Sequence, residues 1–196
     1  MKNLILPLLL LPLLFSCEDP APPVVPVEDI KCIQLTDENG EPYGNYGSCD
    51  ASMQWKNQTL TLEQRALLNY SDTIQLDSNA IGAFTALNFS PNPAKTGTAL
   101  HFTVITDVWG QAYKLKTAIV DENHNLVEQK SYLLPQGSAL RFADPALFNP
   151  GKYYRMYYRL ESGPQSAATL EGYGNFLICN DYVPLPDNGN IEGFCF

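Results

Sequence analysis

From Lys31 to Cys179 the chain is a succession of short runs rich in β-branched and aromatic residues, each closed by glycine, proline, asparagine or aspartate. That rhythm restricts the fold more than any other feature. Residues alternating with period two offer one side to a core, and turn residues reverse the chain. Strands are predicted over Lys31–Leu35, Tyr43–Gly47, Thr73–Leu76, Ala99–Thr106, Ala112–Val120, Leu126–Leu134, Leu140–Ala143, Tyr153–Leu160 and Ala168–Cys179. The first two flank Asp37-Glu38-Asn39-Gly40 and read as a hairpin. One short helix is predicted near residues 61–69, where Thr61 as N-cap and Gln64 three residues on form a capping box. An all-β class and an antiparallel sandwich follow.

The amino terminus carries a different pattern. Lys2 is followed by an apolar run from Leu4 to Phe15, too short to span a hydrocarbon core of about 30 Å, and then by the small residue Ser16. Residues 1–16 therefore read as a signal peptide. Leu14-Phe15-Ser16-Cys17 resembles the lipobox of bacterial lipoproteins, which implies diacylglycerol on Cys17 and acylation of the new amino terminus. The lipid would hold the chain at a membrane, since each buried methylene contributes about 0.8 kcal/mol. Residues 17–30 contain prolines 20, 22, 23 and 26 and form an extended, acidic tether. Its Glu18-Asp19 resembles the surface-export signal of lipoproteins in bacteria with type IX secretion. The expected location is the outer membrane, on its cell-surface or periplasmic face.

Residues 31–196 are long enough for a single domain with a real core. The full chain has 12 Lys and Arg against 21 Asp and Glu, a formal net charge of -9, and no basic cluster, so a nucleic-acid partner is disfavoured. With Cys17 lipidated, Cys32, Cys49, Cys179 and Cys195 remain, an even set in a compartment that permits disulfides. Short separations favour Cys32–Cys49 and Cys179–Cys195. Pairings that staple the N-terminal cysteines to the C-terminal ones stay open.

Ser90-Pro91-Asn92-Pro93-Ala94 with the strand Leu100-His101-Phe102-Thr103-Val104 resembles the opening of a type IX secretion C-terminal sorting domain. Two later blocks are similar to the same family: Ala118-Ile119-Val120-Asp121-Glu122-Asn123-His124-Asn125-Leu126-Val127, and Leu147-Phe148-Asn149-Pro150-Gly151-Lys152-Tyr153-Tyr154-Arg155-Met156. The resemblance covers roughly residues 88–160. It implies an immunoglobulin-like sandwich of about seven strands. This chain runs on well past the point where family members end, so the resemblance concerns fold and not a role as secretion cargo.

No catalytic constellation emerges. His101 falls in a predicted strand and His124 in a turn, and no free thiol is left to pair with either. Zinc spacings, phosphate-cradling glycine loops and nucleophile elbows are absent from the sequence, so no metal or cofactor is expected. The acidic turns at Asp37 and Asp121 have the composition a hairpin needs, which accounts for them without calcium. Asn57-Gln58-Thr59 and Asp72-Thr73-Ile74 match glycan-acceptor triplets too short to carry a site.

The run Tyr153 to Leu160 holds the candidate binding face. Alternation places Tyr153, Arg155, Tyr157 and Arg159 on one side and Tyr154, Met156, Tyr158 and Leu160 on the core side. An exposed aromatic and cationic ladder would stack on sugar rings or anchor a partner protein. The expectation is a non-catalytic, lipid-anchored envelope or cell-surface module that binds or assembles with an envelope protein or a glycan. A carbohydrate-binding surface lipoprotein is the first alternative. A hydrolase with an unrecognised carboxylate pair is the second.

Overall fold

The computed structural model describes residues 29–47, 50–76, 84–106, 112–135, 139–142, 147–162, 169–181 and 191–196. Among them are ten strands and two short helices. The strands are β1 (Ile33–Thr36), β2 (Pro42–Tyr46), β3 (Phe84–Ser90), β4 (Ala94–Lys95), β5 (Leu100–Thr106), β6 (Ala112–Asp121), β7 (Leu126–Pro135), β8 (Ala139–Phe142), β9 (Lys152–Glu161) and β10 (Thr169–Cys179). The helices are α1 (Leu62–Ala66) and α2 (Ile191–Cys195). The predicted signal peptide, Cys17 and the predicted tether as far as residue 28 lie outside the described residues, as does Cys49.

The sandwich expectation holds. One sheet has the order β4-β10-β9-β6-β7, the second β3-β5-β8, and β1-β2 form a separate hairpin. β5 and β8 share one sheet while β6, β9 and β10 share the other. This is how strands B and E are set against C, F and G in an immunoglobulin-type sandwich, with β7 in the place of C′. One pair departs from the antiparallel expectation, since β4 runs parallel to β10 at Ile178↔Ala94 and Cys179↔Lys95.

Alternation in β9 and β10 divides the apolar residues as the period-two rule requires. Tyr154, Met156, Tyr158, Leu160, Leu170, Phe176 and Ile178 fill the space between the sheets with Phe89, Phe102, Leu115 and Ile119. Tyr153, Tyr157, Leu177 and Cys179 point the other way, into a second apolar cluster with Ile30, Ile33, Leu35, Leu60 and Leu68. The five-stranded sheet is thus covered on both faces. Its outer face carries the N-terminal segment, and Ile30 is already buried in it, so at least Ile30 of the predicted tether belongs to the packed domain.

Trp55 belongs to the inner core although it comes from the outer cover. Gly172 and Gly174 sit on the inward side of β10 and leave a slot there. A Cβ on Gly174 would lie 2.1 Å from Trp55 Cε2, and one on Gly172 would lie 2.2 Å from the Lys56 carbonyl oxygen. Trp55 enters over this edge and stacks on Phe89 at 3.9 Å between ring centroids, with Tyr158 at 6.2 Å. Its backbone is left-handed at φ 58, a sparsely populated state for a bulky residue that the surrounding contacts must impose.

The same segment seals the open edge of β10. Trp55 N–H donates to the Tyr173 carbonyl and Gln58 N–H to that of Glu171. Asn175 N–H is accepted by Gln54 Oε1 and Leu177 N–H by Asn92 Oδ1. An edge that would otherwise template another chain is satisfied by side chains and a strap.

Several sequence expectations change. Thr73–Leu76 is not a strand. Residues 70–72 lie over the face of β6 and β7, where the Tyr70 hydroxyl donates to the Lys130 carbonyl and accepts from the Thr117 N–H and the Ser131 hydroxyl, and a chain lying on a face has no free edge to pair with. β3, β4 and α2 were not predicted; α2 is short and has no apolar periodicity to announce it. The capping box stands, with Gln64 N–H donating to Thr61 Oγ1 and Thr61 N–H to Gln64 Oε1. Asp37 and Asp121 behave as turn residues, each carboxylate accepting backbone N–H groups two and four residues on.

Cys179 and Cys195 are joined, which pins α2 against β10 and excludes the pairings that would have crossed to the N-terminal cysteines through either of them. Cys32 is also disulfide-bonded. Closing a loop of 16 residues constrains the unfolded chain, so the double variant Cys179→Ser/Cys195→Ser should lose about 3 kcal/mol of stability in denaturant titrations. An unchanged unfolding midpoint would show that α2 contributes nothing to the fold.

Candidate functional site

The predicted ladder on β9 does not face solvent. Tyr153, Arg155 and Tyr157 are only 6%, 1% and 4% exposed, beneath Ile33, Leu35, Leu60 and Leu68. This corrects the expectation of an exposed binding face. Alternation assigns residues to sides of a sheet, and it cannot say that a further layer lies over one side. Arg155 is held there by a 2.7 Å hydrogen bond from Nε to Asn175 Oδ1, and its guanidinium lies 4.6 Å from the centre of the Tyr173 ring.

Only the last rung escapes the cover. Arg159 lies beyond the apolar part of the outer face, where the β strands bring charged residues into two rows. Register places Lys116, Arg159 and Glu171 side by side across β6, β9 and β10, with Lys114 and Glu161 paired in the next row. α1 contributes Arg65 from above, and the strap at residues 70–74 contributes Asp72.

The charges are interlocked. Arg65 donates from Nε and Nη2 to Glu171 Oε1 at 2.8 and 2.5 Å, while Arg159 Nη2 reaches Glu171 Oε2 at 3.3 Å. Lys114 Nζ lies 2.8 Å from Glu161 and 3.6 Å from Asp72, and Lys116 Nζ lies 3.2 Å from Asp72. Lys116 also donates to the Tyr70 carbonyl and sits over that ring. Beside this network opens a cleft of about 410 Å³, lined by Arg65, Arg159, Glu161 and Glu171 together with Asn57, Gln58 and Thr59. Every lining residue is polar. A second hollow of about 470 Å³ lies across the strap, between the β1–β2 turn, Trp55, Leu87 and Leu170.

The surroundings of Glu171 and Asp72 hold both as anions. Burial pushes the Glu171 carboxyl up, but the Arg65 hydrogen bond, the Leu60 N–H and the charges of Arg65 and Arg159 outweigh it, and the group titrates below its ordinary value of 4.5. Asp72 is likewise pushed up by burial and brought lower overall by Lys116, the Ile74 N–H and Lys114. Glu171 therefore has no proton to give near neutral pH, whereas a glycosidase pair needs one protonated acid.

A depressed folded-state pKa contributes stability above the unfolded-state value and loses it as pH falls through the folded one. Thermal melts between about pH 6 and pH 3 should show stability declining below roughly pH 4.5, and Glu171→Gln should flatten part of that decline. Parallel curves for the two proteins would disconnect Glu171 from the acid response.

The cleft residues other than Arg159 were missed in the sequence. Their signal is a set of charges inside otherwise apolar strands, Lys114 and Lys116 in β6, Glu161 in β9 and Glu171 in β10. Seeing that they meet requires the register. No protein-family model matches this chain, and no curated protein matches its sequence.

Proposed function

We propose that this chain is a lipid-anchored, non-catalytic binding module of a bacterial outer membrane, tethered through Cys17 and presenting the cleft of Arg65, Arg159 and Glu171 to a ligand. The observation that carries the reading is the cleft itself. Its walls are polar side chains fixed by hydrogen bonds and ion pairs on β9, β10 and α1, which is the preorganisation a binding site needs. The ionised state of Glu171 and the Lys114 contact on Glu161 favour recognition over acid–base chemistry. The apolar run ending at Ser16-Cys17 and the proline-rich spacer support anchoring.

Metabolic labelling with an alkyne palmitate analogue, followed by membrane fractionation, tests the anchor. The wild-type protein should carry label and sediment with the outer membrane, and Cys17→Ser should do neither. An unlabelled wild-type protein would remove the lipoprotein reading.

A further inference from the structure

We propose that the cleft binds an acidic glycan, with a sugar carboxylate seated against Arg159. The inference rests on the binding-module reading and names its ligand.

Arg159 is the least satisfied cation of the network. Its side chain is 18% exposed, yet among the described residues it makes one hydrogen bond, the long contact to Glu171. The guanidinium has five donors in a planar fork. Glu171 gives it only Oε2, because Oε1 is taken twice by Arg65 and also accepts the Leu60 N–H at 3.2 Å. Glu161 is engaged by Lys114, and Asp72 lies with Lys114 and Lys116.

The charge count agrees. The charges lining the cleft balance, Arg65 and Arg159 against Glu161 and Glu171, and Lys114, Lys116 and Asp72 beside it bring the network to four positive and three negative charges, a surplus of one in a chain whose net charge is -9. One monoanion neutralises that surplus. A dianion would meet the two flanking glutamates with charge to spare. A planar fork also matches a carboxylate bidentately.

The rest of the ligand must be rich in hydroxyls. No apolar side chain lines the cleft, and Asn57, Gln58, Thr59 and Glu161 offer amide, hydroxyl and carboxylate partners around Arg159. The volume of about 410 Å³ accommodates a small ligand of the size of one or two sugar rings.

The test is calorimetric titration of the full mature chain with oligogalacturonate and with a neutral galactose oligomer of equal length. The acidic oligomer should bind and the neutral one should not. Arg159→Gln should weaken acidic binding by roughly tenfold or more. Because that variant touches the ion network, a second site guards against a folding artefact. At exposed Thr59, Thr59→Asp should weaken the acidic ligand and Thr59→Lys should strengthen it. Neutral binding that survives Arg159→Gln would overturn the carboxylate seat while leaving a binding module. Silence toward both oligomers would overturn the glycan ligand, and the Cys17 labelling then judges the anchor separately.

Discussion

Replacing Trp55 with alanine should lower the melting temperature by roughly 10 °C, the effect of losing about 4 kcal/mol in a domain of this size. The indole fills a slot between the sheets, with Phe89 stacked at 3.9 Å and Phe102 and Tyr158 around it. Nothing is positioned to collapse into the space. β10 has no side chain there, because Gly172 and Gly174 already make way for the strap. Alanine keeps the left-handed backbone at φ 58 and its strain, so no relief offsets the cavity. Differential scanning calorimetry reads the shift. A loss below about 1 kcal/mol would mean that the inner core does not depend on the N-terminal strap.

Asn175→Ala should cost about 3 kcal/mol, chiefly by stranding buried polar groups. Asn175 is fully buried and joins three elements. Its Oδ1 accepts from Arg155, its Nδ2 donates to the Cys32 carbonyl at 2.8 Å and to that of Asp29 at 3.3 Å, and its own carbonyl accepts from Asn92. Asn92 in turn donates to Gln34 and exchanges backbone hydrogen bonds with Thr36. Alanine leaves the Arg155 Nε without this acceptor and loosens the N-terminal cover where it begins. Urea titration should show a lower midpoint with an unchanged slope, and hydrogen exchange should rise first in residues 29–36. Uniform exchange throughout the sandwich would show that cover and sandwich unfold as one unit.

The two substitutions act on the same join. Trp55 passes from cover to core, and Asn175 with Asn92 binds the cover to β10, so the N-terminal segment is integral to the sandwich. The cover includes Ile30, and the polar cleft is built from the same cover through Asn57, Thr59 and Arg65. Loss of the cover removes the site.

Local chemistry settled what is local or periodic. Period-two alternation sorted Tyr153, Arg155, Tyr157 and Arg159 from Tyr154, Met156, Tyr158 and Leu160, and the two sets do occupy opposite faces. The capping box at Thr61, the turns at Asp37 and Asp121, and the short-range cystine of Cys179 and Cys195 were legible for the same reason, since each depends on residues close in the chain. What lies against each face is a long-range matter. Only the tertiary structure placed Ile33, Leu60 and Leu68 over the tyrosines, because burial depends on which distant segment covers a sheet. Only register gathered Lys114, Lys116, Glu161 and Glu171 around Arg159, and only the missing side chains of Gly172 and Gly174 opened the way for Trp55. Alternation carries the side of a residue, and the packing of remote segments decides whether that side meets water, a core or a ligand.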